Sequence, residues 1–414
     1  MKTEIITHQI LSLVKSYCKP SVVTGLMNDL RRSEALEHRM IRGEGGGQAR
    51  QQDQGISLGD QEKLDRLITL CHSRLSVDDV CQVLLGIGDI FKVQGETNRA
   101  EEIYTMALSK GEESGKREFV AEAYMRRGEI YSRKAQWKQS TSDLGHSRVI
   151  LSELKHHEAL GRVENILGTN YAEQGKTKRA VQSFERALTL FERTRQTQLA
   201  GIALMNLGIV CNIVGDCDSA LAHYKRAQSC FEGVGDVNRL AELHHNIGMS
   251  YLSKRLYNDA IREFYTSFTL SSRILNVSVM GLSNLGKANA YYHQKDFPMS
   301  LMLVSQAIEL FTKSTDRLGL ADAYKVKGMI HREMKRFDSA ESYLYSSLRI
   351  NLELNNRLNV AEAYYEIGML ELKRKKKQKA VAAFQKARAG FRKVGAREEE
   401  KRTQSMVNSI GGRR

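Results

Sequence analysis

The amino-acid sequence predicts an all-α fold, a solenoid of eight 40-residue helix–turn–helix repeats, and three observations carry that expectation. The first is composition: 414 residues hold only two prolines, Pro20 and Pro298, among abundant Ala, aliphatic and charged residues, as long uninterrupted helices require. The second is an internal period of 40, which runs through Gly88, Gly128, Gly168, Gly208, Gly248, Ala288, Gly328 and Gly368. The third is a pair of partner positions at fixed distances after each of these. Twelve residues on comes a second small residue (Ala100, Ser140, Ala180, Ala220, Ala260, Ser300, Ala340, Ala380). Four further on comes a ring or a branched chain (Tyr104, Leu144, Phe184, Tyr224, Phe264, Val304, Leu344, Phe384). Small residues in fixed register let two helix axes approach closely, and the larger side chain fills the neighbouring gap.

Residues 3–17 and 21–39 read as two short amphipathic helices broken at Pro20, so residues 1–40 form an N-terminal helical segment, either a cap or a separate docking element. Arg42 to Gly47 and the Gln-rich stretch to Gly55 predict a flexible Gly/Gln-rich linker over 41–58. Residues 59–75 have the register of a second helix without its partner, which makes 59–80 an orphan helix and the entry to the array. Ser76-Val77-Asp78-Asp79 has the form of a capping start. The eight repeats then fill 81–400, and 401–414 reads as a polar, fraying tail. Asn98, Asp218, Asn258 and Asp338 are expected to cap second helices, with Pro298 in the same place, where a missing N–H costs little. Asp236, Asn276, Asp316 and Asn356 recur where one repeat ends and the chain reverses. A single repeat cannot bury its own apolar face, so stability comes from stacking.

In this spacing the chain resembles the tetratricopeptide repeat superfamily. The third copy, Asn165-Ile166-Leu167-Gly168 through Tyr171, Gly175, Ala180, Phe184 and Ala187, is the most similar to the family pattern. The resemblance covers about 81–400 and implies a right-handed α-solenoid. Two departures, the 40-residue period and the absence of the proline that often comes after the second helix, are similar to the long-repeat subclass of Pins-type adaptors, kinesin light chains and bacterial Rap-like regulators. Longer second helices and loops are implied. The resemblance also implies a concave groove lined by first helices, and carried onto this sequence its partner-binding places are Arg126, Arg162, Asn165, Asn206, Asn212, His245, Asn246, Asn289, Tyr292 and Lys325. A ladder of amides can hold an extended backbone without reading its side chains. The basic clamp of chaperone-binding relatives does not recur in consecutive repeats here, since Lys325 is followed by Met329.

Signals for chemistry are weak. Gly175-Lys176-Thr177 imitates the end of a phosphate-binding loop, but Asn170 stands where glycine is required and no strand precedes it. His156-His157 and His244-His245 are adjacent, so their side chains diverge by ~100° on a helix instead of converging on a metal. The cysteines Cys18, Cys71, Cys81, Cys211, Cys217 and Cys230 match no zinc pattern and read as free thiols of a reducing compartment. No enzymatic activity, cofactor or metal is expected. The N-terminus lacks the pattern of a signal peptide and no run is long and apolar enough to span a membrane, which predicts a soluble cytoplasmic protein.

A formal net charge of +15, from 63 Lys plus Arg against 48 Asp plus Glu, favours acidic partners. Lys373, Arg374, Lys375, Lys376 and Lys377 form the densest basic patch, at the turn inside the last repeat. The sequence therefore predicts an interaction scaffold that binds a peptide or partner helix in its groove. Two alternatives stay open: a peptide-responsive sensor with N-terminal output helices, and a nucleic-acid-associated protein that uses the basic C-terminal end.

Overall fold

A computed structural model describes residues 2–25, 27–28 and 60–411, and every regular element among them is a helix. Helix α1 spans Lys2–Tyr17 and α2 Asp60–Arg74. Four antiparallel pairs come next: α3 (Val77–Val93) with α4 (Thr97–Glu113), α5 (Arg117–Arg133) with α6 (Trp137–Glu153), α7 (His157–Glu173) with α8 (Thr177–Arg193), and α9 (Thr197–Ile213) with α10 (Cys217–Val234). Four more complete the repeats: α11 (Val237–Ser253) with α12 (Tyr257–Arg273), α13 (Val277–His293) with α14 (Phe297–Lys313), α15 (Arg317–Glu333) with α16 (Phe337–Glu353), and α17 (Arg357–Lys373) with α18 (Lys377–Val394). Helix α19 (Arg397–Gly411) closes the described chain. Two compact units emerge, one of Met1–Gln174 with Lys178–Thr194, the other of Arg195–Arg414 with Gly175–Thr177.

Helices begin every 20 residues from Val77 to Arg397 because every connection closes in the same way. At the first turn the Gly95 N–H donates to the Lys92 carbonyl at 3.2 Å and the Glu96 N–H to the Phe91 carbonyl at 2.9 Å, the paired bonds of a Schellman closure. The middle residue of each connection is left-handed, in steps of 20 from Gly95 to Gly395. The longer loops expected from the 40-residue period are therefore absent. The extra length lies in the helices, and first and second helices share it equally.

The small-to-ring spacing is the seam between the helices of a repeat. A Cβ added at Gly168, Gly248 or Gly368 would lie 2.6, 2.6 or 2.7 Å from the ring of Phe184, Phe264 or Phe384, so the ring occupies the space a side chain would need. Ala288, the one member of the glycine series that carries a Cβ, faces the smallest of the partners, Val304, and both are fully buried. Where serine replaces alanine in the second small series its hydroxyl is satisfied: Ser140 Oγ and Ser300 Oγ donate to the carbonyls of Gly128 and Ala288, each at 2.7 Å.

Helix caps depart from expectation. Asn98, Asp218, Asn258 and Asp338 are the second residues of their helices, two places beyond the cap. Three of them instead tie one repeat to the next: Asp218 pairs with Lys254, Asn258 accepts from Gln294 at 2.7 Å, and Asp338 accepts from Arg374 at 3.0 Å. Pro298 sits in the first turn of α14, as its missing N–H allows. Asp236, Asn276, Asp316 and Asn356 cap the following first helices, each side chain accepting the N–H three residues on.

At the N-terminal end, Ile6, Ile10 and Val14 line one face of α1 and are buried with Leu67 and Cys71 of α2 and Val80 and Leu84 of α3. Burial pushes the Cys71 thiol up to about 12, with Cys18 beside it adding to the shift. Helix α1 thus covers the outer side of the first repeat. The second expected N-terminal helix is seen as helical residues 20–25 and 27–28, while 29–40 and the linker over 41–58 lie outside the described residues. At the other end the tail expected from 401 is helical to Gly411. Helix α19 starts 40 residues after α17, in the register of a ninth first helix. Glu398, Glu399 and Glu400 suit the positive end of its dipole, and Thr403 is fully buried where Ala323 and Ala363 are buried two repeats and one repeat earlier.

Candidate functional site

In the second unit, successive first helices leave a concavity of about 610 Å³. Helix α11 supplies His245 and Met249, α13 Leu282, Leu285 and Asn289, and α15 Asp322, Lys325, Val326 and Met329. Helix α17 supplies Asn359, Glu362, Tyr365 and Glu366, Phe391 comes from α18, and α19 closes the end with Glu399, Arg402 and Thr403. These places recur at 40-residue steps, as in Leu282, Asp322, Glu362 and Arg402, because each repeat turns the same helical face inward. The floor is apolar and the wall is charged, with four carboxylates against Lys325 and Arg402.

The charges are interlocked. Lys325 Nζ lies 3.2 Å from Asp322 and also pairs with Glu362 in the next repeat. Burial works against the Lys325 ammonium, but Glu362 and Asp322 outweigh it and hold the group above its ordinary value. Burial raises the Asp322 carboxyl in spite of Lys325. Asn359 Nδ2 donates to Asp322 at 3.2 Å, and the Arg402 guanidinium lies 5.2 Å from the centre of the Tyr365 ring. His245 packs on Phe264 with ring centroids 5.4 Å apart, and burial holds its imidazole down at about 4. Its neighbour His244 points elsewhere, 2.6 Å from Glu263, so the adjacent histidines diverge.

Three of the residues expected to bind a partner, His245, Asn289 and Lys325, are brought together here. The others are placed differently. Asn212 Nδ2 donates to Ser250 Oγ at 2.7 Å and to the Tyr224 hydroxyl at 3.3 Å, linking two repeats. The backbone carbonyl of Asn246, not its side-chain amide, accepts from Ser250 Oγ at 3.2 Å, and the Tyr292 hydroxyl accepts from Arg332 at 3.3 Å. Asn165 and Asn206 are half-buried and hold interactions within the chain. In the first unit, Arg162 pairs with Glu158 at 2.8 Å. Arg126 lies 3.2 Å from Asp89, also pairs with Glu122, and lines a smaller concavity of about 320 Å³ with Tyr17 and Phe119. Of the amide ladder, the Asn212 side chain is thus engaged within the array while Asn289 faces the concavity, and the carboxylates of the wall were not foreseen.

The basic run lies on the edge formed by the turns from first to second helices. Lys373 bridges to Glu333 at 3.2 Å, and Arg374 to Asp338, Glu341 and Glu371 at 3.0, 2.8 and 3.1 Å. Lys375, Lys376 and Lys377 are exposed. Gly175, the residue that imitated a phosphate loop, is the left-handed turn between α7 and α8. All six cysteines are free. Among the described residues no group of three or more His, Cys, Asp or Glu is placed to hold a metal, and no helix is long and apolar enough to cross a membrane.

Two models described as tetratricopeptide repeat match the sequence, one at 119–193, 280–353 and 327–393, the other at 167–233, together more than half of the chain. The chain belongs to the tetratricopeptide repeat superfamily. Regulatory protein RapG of Bacillus subtilis (strain 168) is 31% identical over 98 residues, which is 23% of this chain and 27% of that protein. Aspartyl phosphate phosphatase F of Bacillus subtilis superposes with a TM-score of 0.58 at 16% identity, over 84% of this chain and 94% of its own. The apo form of the quorum sensor NprR of B. thuringiensis gives 0.55 at 14%, over 94% and 98%. A Rap protein complexed with competence and sporulation factor gives 0.54 at 14%, over 86% and 99%. At such identities these likenesses show the fold, a tetratricopeptide solenoid of the Rap and NprR kind.

Proposed function

We propose that this chain is a regulatory scaffold that holds a peptide, or one helix of a partner protein, in the concavity of its second unit, and that it acts by binding and not by catalysis. The observation that carries this reading is the floor itself. Met249, Leu282, Leu285, Met329 and Phe391 line about 610 Å³ of open space, ringed by charged groups that fix orientation. Methionine supplies surface that adapts to different side chains. Relatives in fold named as a quorum sensor and as a Rap protein bound to competence and sporulation factor support a ligand of this kind. The free thiols suit the cytoplasm.

The test is selection of linear peptides from a display library on the full chain, followed by titration into the wild type and Met249→Glu. Met249 is 39% exposed, so the substitution leaves packing intact. Binding at least tenfold weaker in the variant is expected. Equal affinity would place the ligand elsewhere.

A second reading, a peptide-responsive sensor with output through the N-terminal segment, is favoured by the seating of α1 on α2 and α3. Hydrogen exchange of α1 that changes on saturation with the selected peptide would support the sensor. Unchanged exchange would leave a plain scaffold.

A further inference from the structure

The eight turns from first to second helix share one backbone and split into two groups by residue. The left-handed position holds Gly95, Ala135, Gly175 and Gly215 in the first four, then Arg255, Lys295, Lys335 and Lys375 in the last four. A side chain at such a φ is strained, and glycine is the relaxed choice. Nothing in the array repays the strain: all four cations are exposed and, among the described residues, none is paired with a carboxylate. The acids of the same edge are already engaged, Asp259 with Arg262, Asp338 with Arg374, and Asp296 with the Met299 N–H.

Beside three of these four cations the second helix starts without a side-chain cap, as it also does at Glu96 and Gln136 in the first unit; beside Lys295, Asp296 caps α14. Every first helix from α11 to α17 is capped by an Asp or Asn side chain. The second helices that start beside Arg255, Lys335 and Lys375 have Leu256, Arg336 and Lys376 at the cap, with no side-chain hydrogen bond. Between the last two of these turns is a concavity of about 780 Å³ lined by Lys335, Arg336, Lys375 and Lys376, and by Asp338 and Glu341, whose carboxylates are held by Arg374. Uncapped N–H groups flanked by cations suit phosphate oxygens.

We propose that this edge holds the sugar–phosphate backbone of a nucleic acid strand, without reading its sequence. Repetition over four repeats suits a polymer whose charges also repeat, and lysine meets phosphate as a point charge. An acidic peptide or a membrane would also bury apolar groups, and of the described residues at these four turns Leu256 and Met299 alone are exposed large apolar side chains, whereas Val234, Leu275, Leu354 and Val394 lie on the opposite edge.

The experiment uses the full chain with two single-stranded 20-mers of unrelated sequence, a poly-glutamate peptide of equal charge, and vesicles containing phosphatidylserine. The variant combines Arg255→Gly, Lys295→Gly, Lys335→Gly and Lys375→Gly, the residue that other turns already hold. A second variant, Lys376→Gln with Lys377→Gln, leaves the left-handed positions alone. The wild type should bind both 20-mers alike, with log K falling against log salt at a slope of about −3, the value for roughly four phosphates on a single strand. The glycine variant should bind at least tenfold more weakly at low salt with a flatter slope, and the glutamine variant should shift the same way by less. Failure to bind either 20-mer, tighter binding of poly-glutamate or vesicles, or an unchanged slope in both variants would overturn the proposal. Loss confined to this edge leaves peptide binding at Met249 intact, so the two readings fail separately.

Discussion

The seam inside each repeat and the turn that joins its two helices obey the same period but not for the same reason. At the seam the period fixes residues, because the ring of Phe264 occupies the space beside Gly248 and leaves no room for a Cβ. At the turn it fixes only a backbone angle, and nothing lies within 4 Å of a Cβ added at Gly215. One region is determined by packing and tolerates little; the other is determined by φ and is free to carry charge. Residues that break the seam rule should therefore destabilise, and residues that vary at the turns are where function can be sought.

The largest expected effect breaks the seam. Gly248→Leu should cost about 3 kcal/mol through overpacking against Phe264, read as a lower urea midpoint, whereas Gly215→Leu should cost about 1 kcal/mol from backbone strain alone. Equal losses would mean that packing does not separate the two regions.

His245 sharpens the comparison where the seam meets the concavity. Its imidazole titrates near 4 in the folded chain and 6.5 unfolded, so below 6.5 the unfolded state binds more protons. Stability should be fully present above pH 6.5 and decline towards pH 4, by up to about 3 kcal/mol. His245→Phe should remove that slope in urea unfolding measured across this range.

Caps come next. Asp316→Ala removes the bond to the Gly319 N–H and should cost about 1 kcal/mol, while Ala at Arg336, where no cap bond exists, should change stability by a few tenths. The smallest effect has the opposite sign. Lys335→Gly relieves a left-handed side chain and should raise stability by about 0.5 kcal/mol, the relief less the added freedom of glycine in the unfolded chain.

The seam was legible in the sequence because close packing fixes side-chain size, so Gly88 through Gly368 and their partners Tyr104 through Phe384 repeat visibly. Caps were misplaced by two residues, since Asp218 and Asp338 serve neighbouring repeats from the second helical position and only the helix starts reveal it. His245, Asn289 and Lys325 were found as inward-facing places. Asp322, Glu362, Glu366, Glu399 and Arg402 were missed because carboxylates and guanidinium groups on helices read as ordinary solvated surface until neighbouring repeats gather them. Asn212 looked available because its partners, Ser250 and Tyr224, lie in other helices, Ser250 in the next repeat.

The central claim, that ligand is held on the inward faces of α11 to α19, is met most directly by hydrogen exchange of the full chain with and without a saturating selected peptide. Slowed exchange concentrated in segments 282–289, 322–329 and 359–366, with the turns at Arg255, Lys295, Lys335 and Lys375 unchanged, is the predicted result. Protection at those turns, or only in the first unit, with the three segments unaltered, would contradict it.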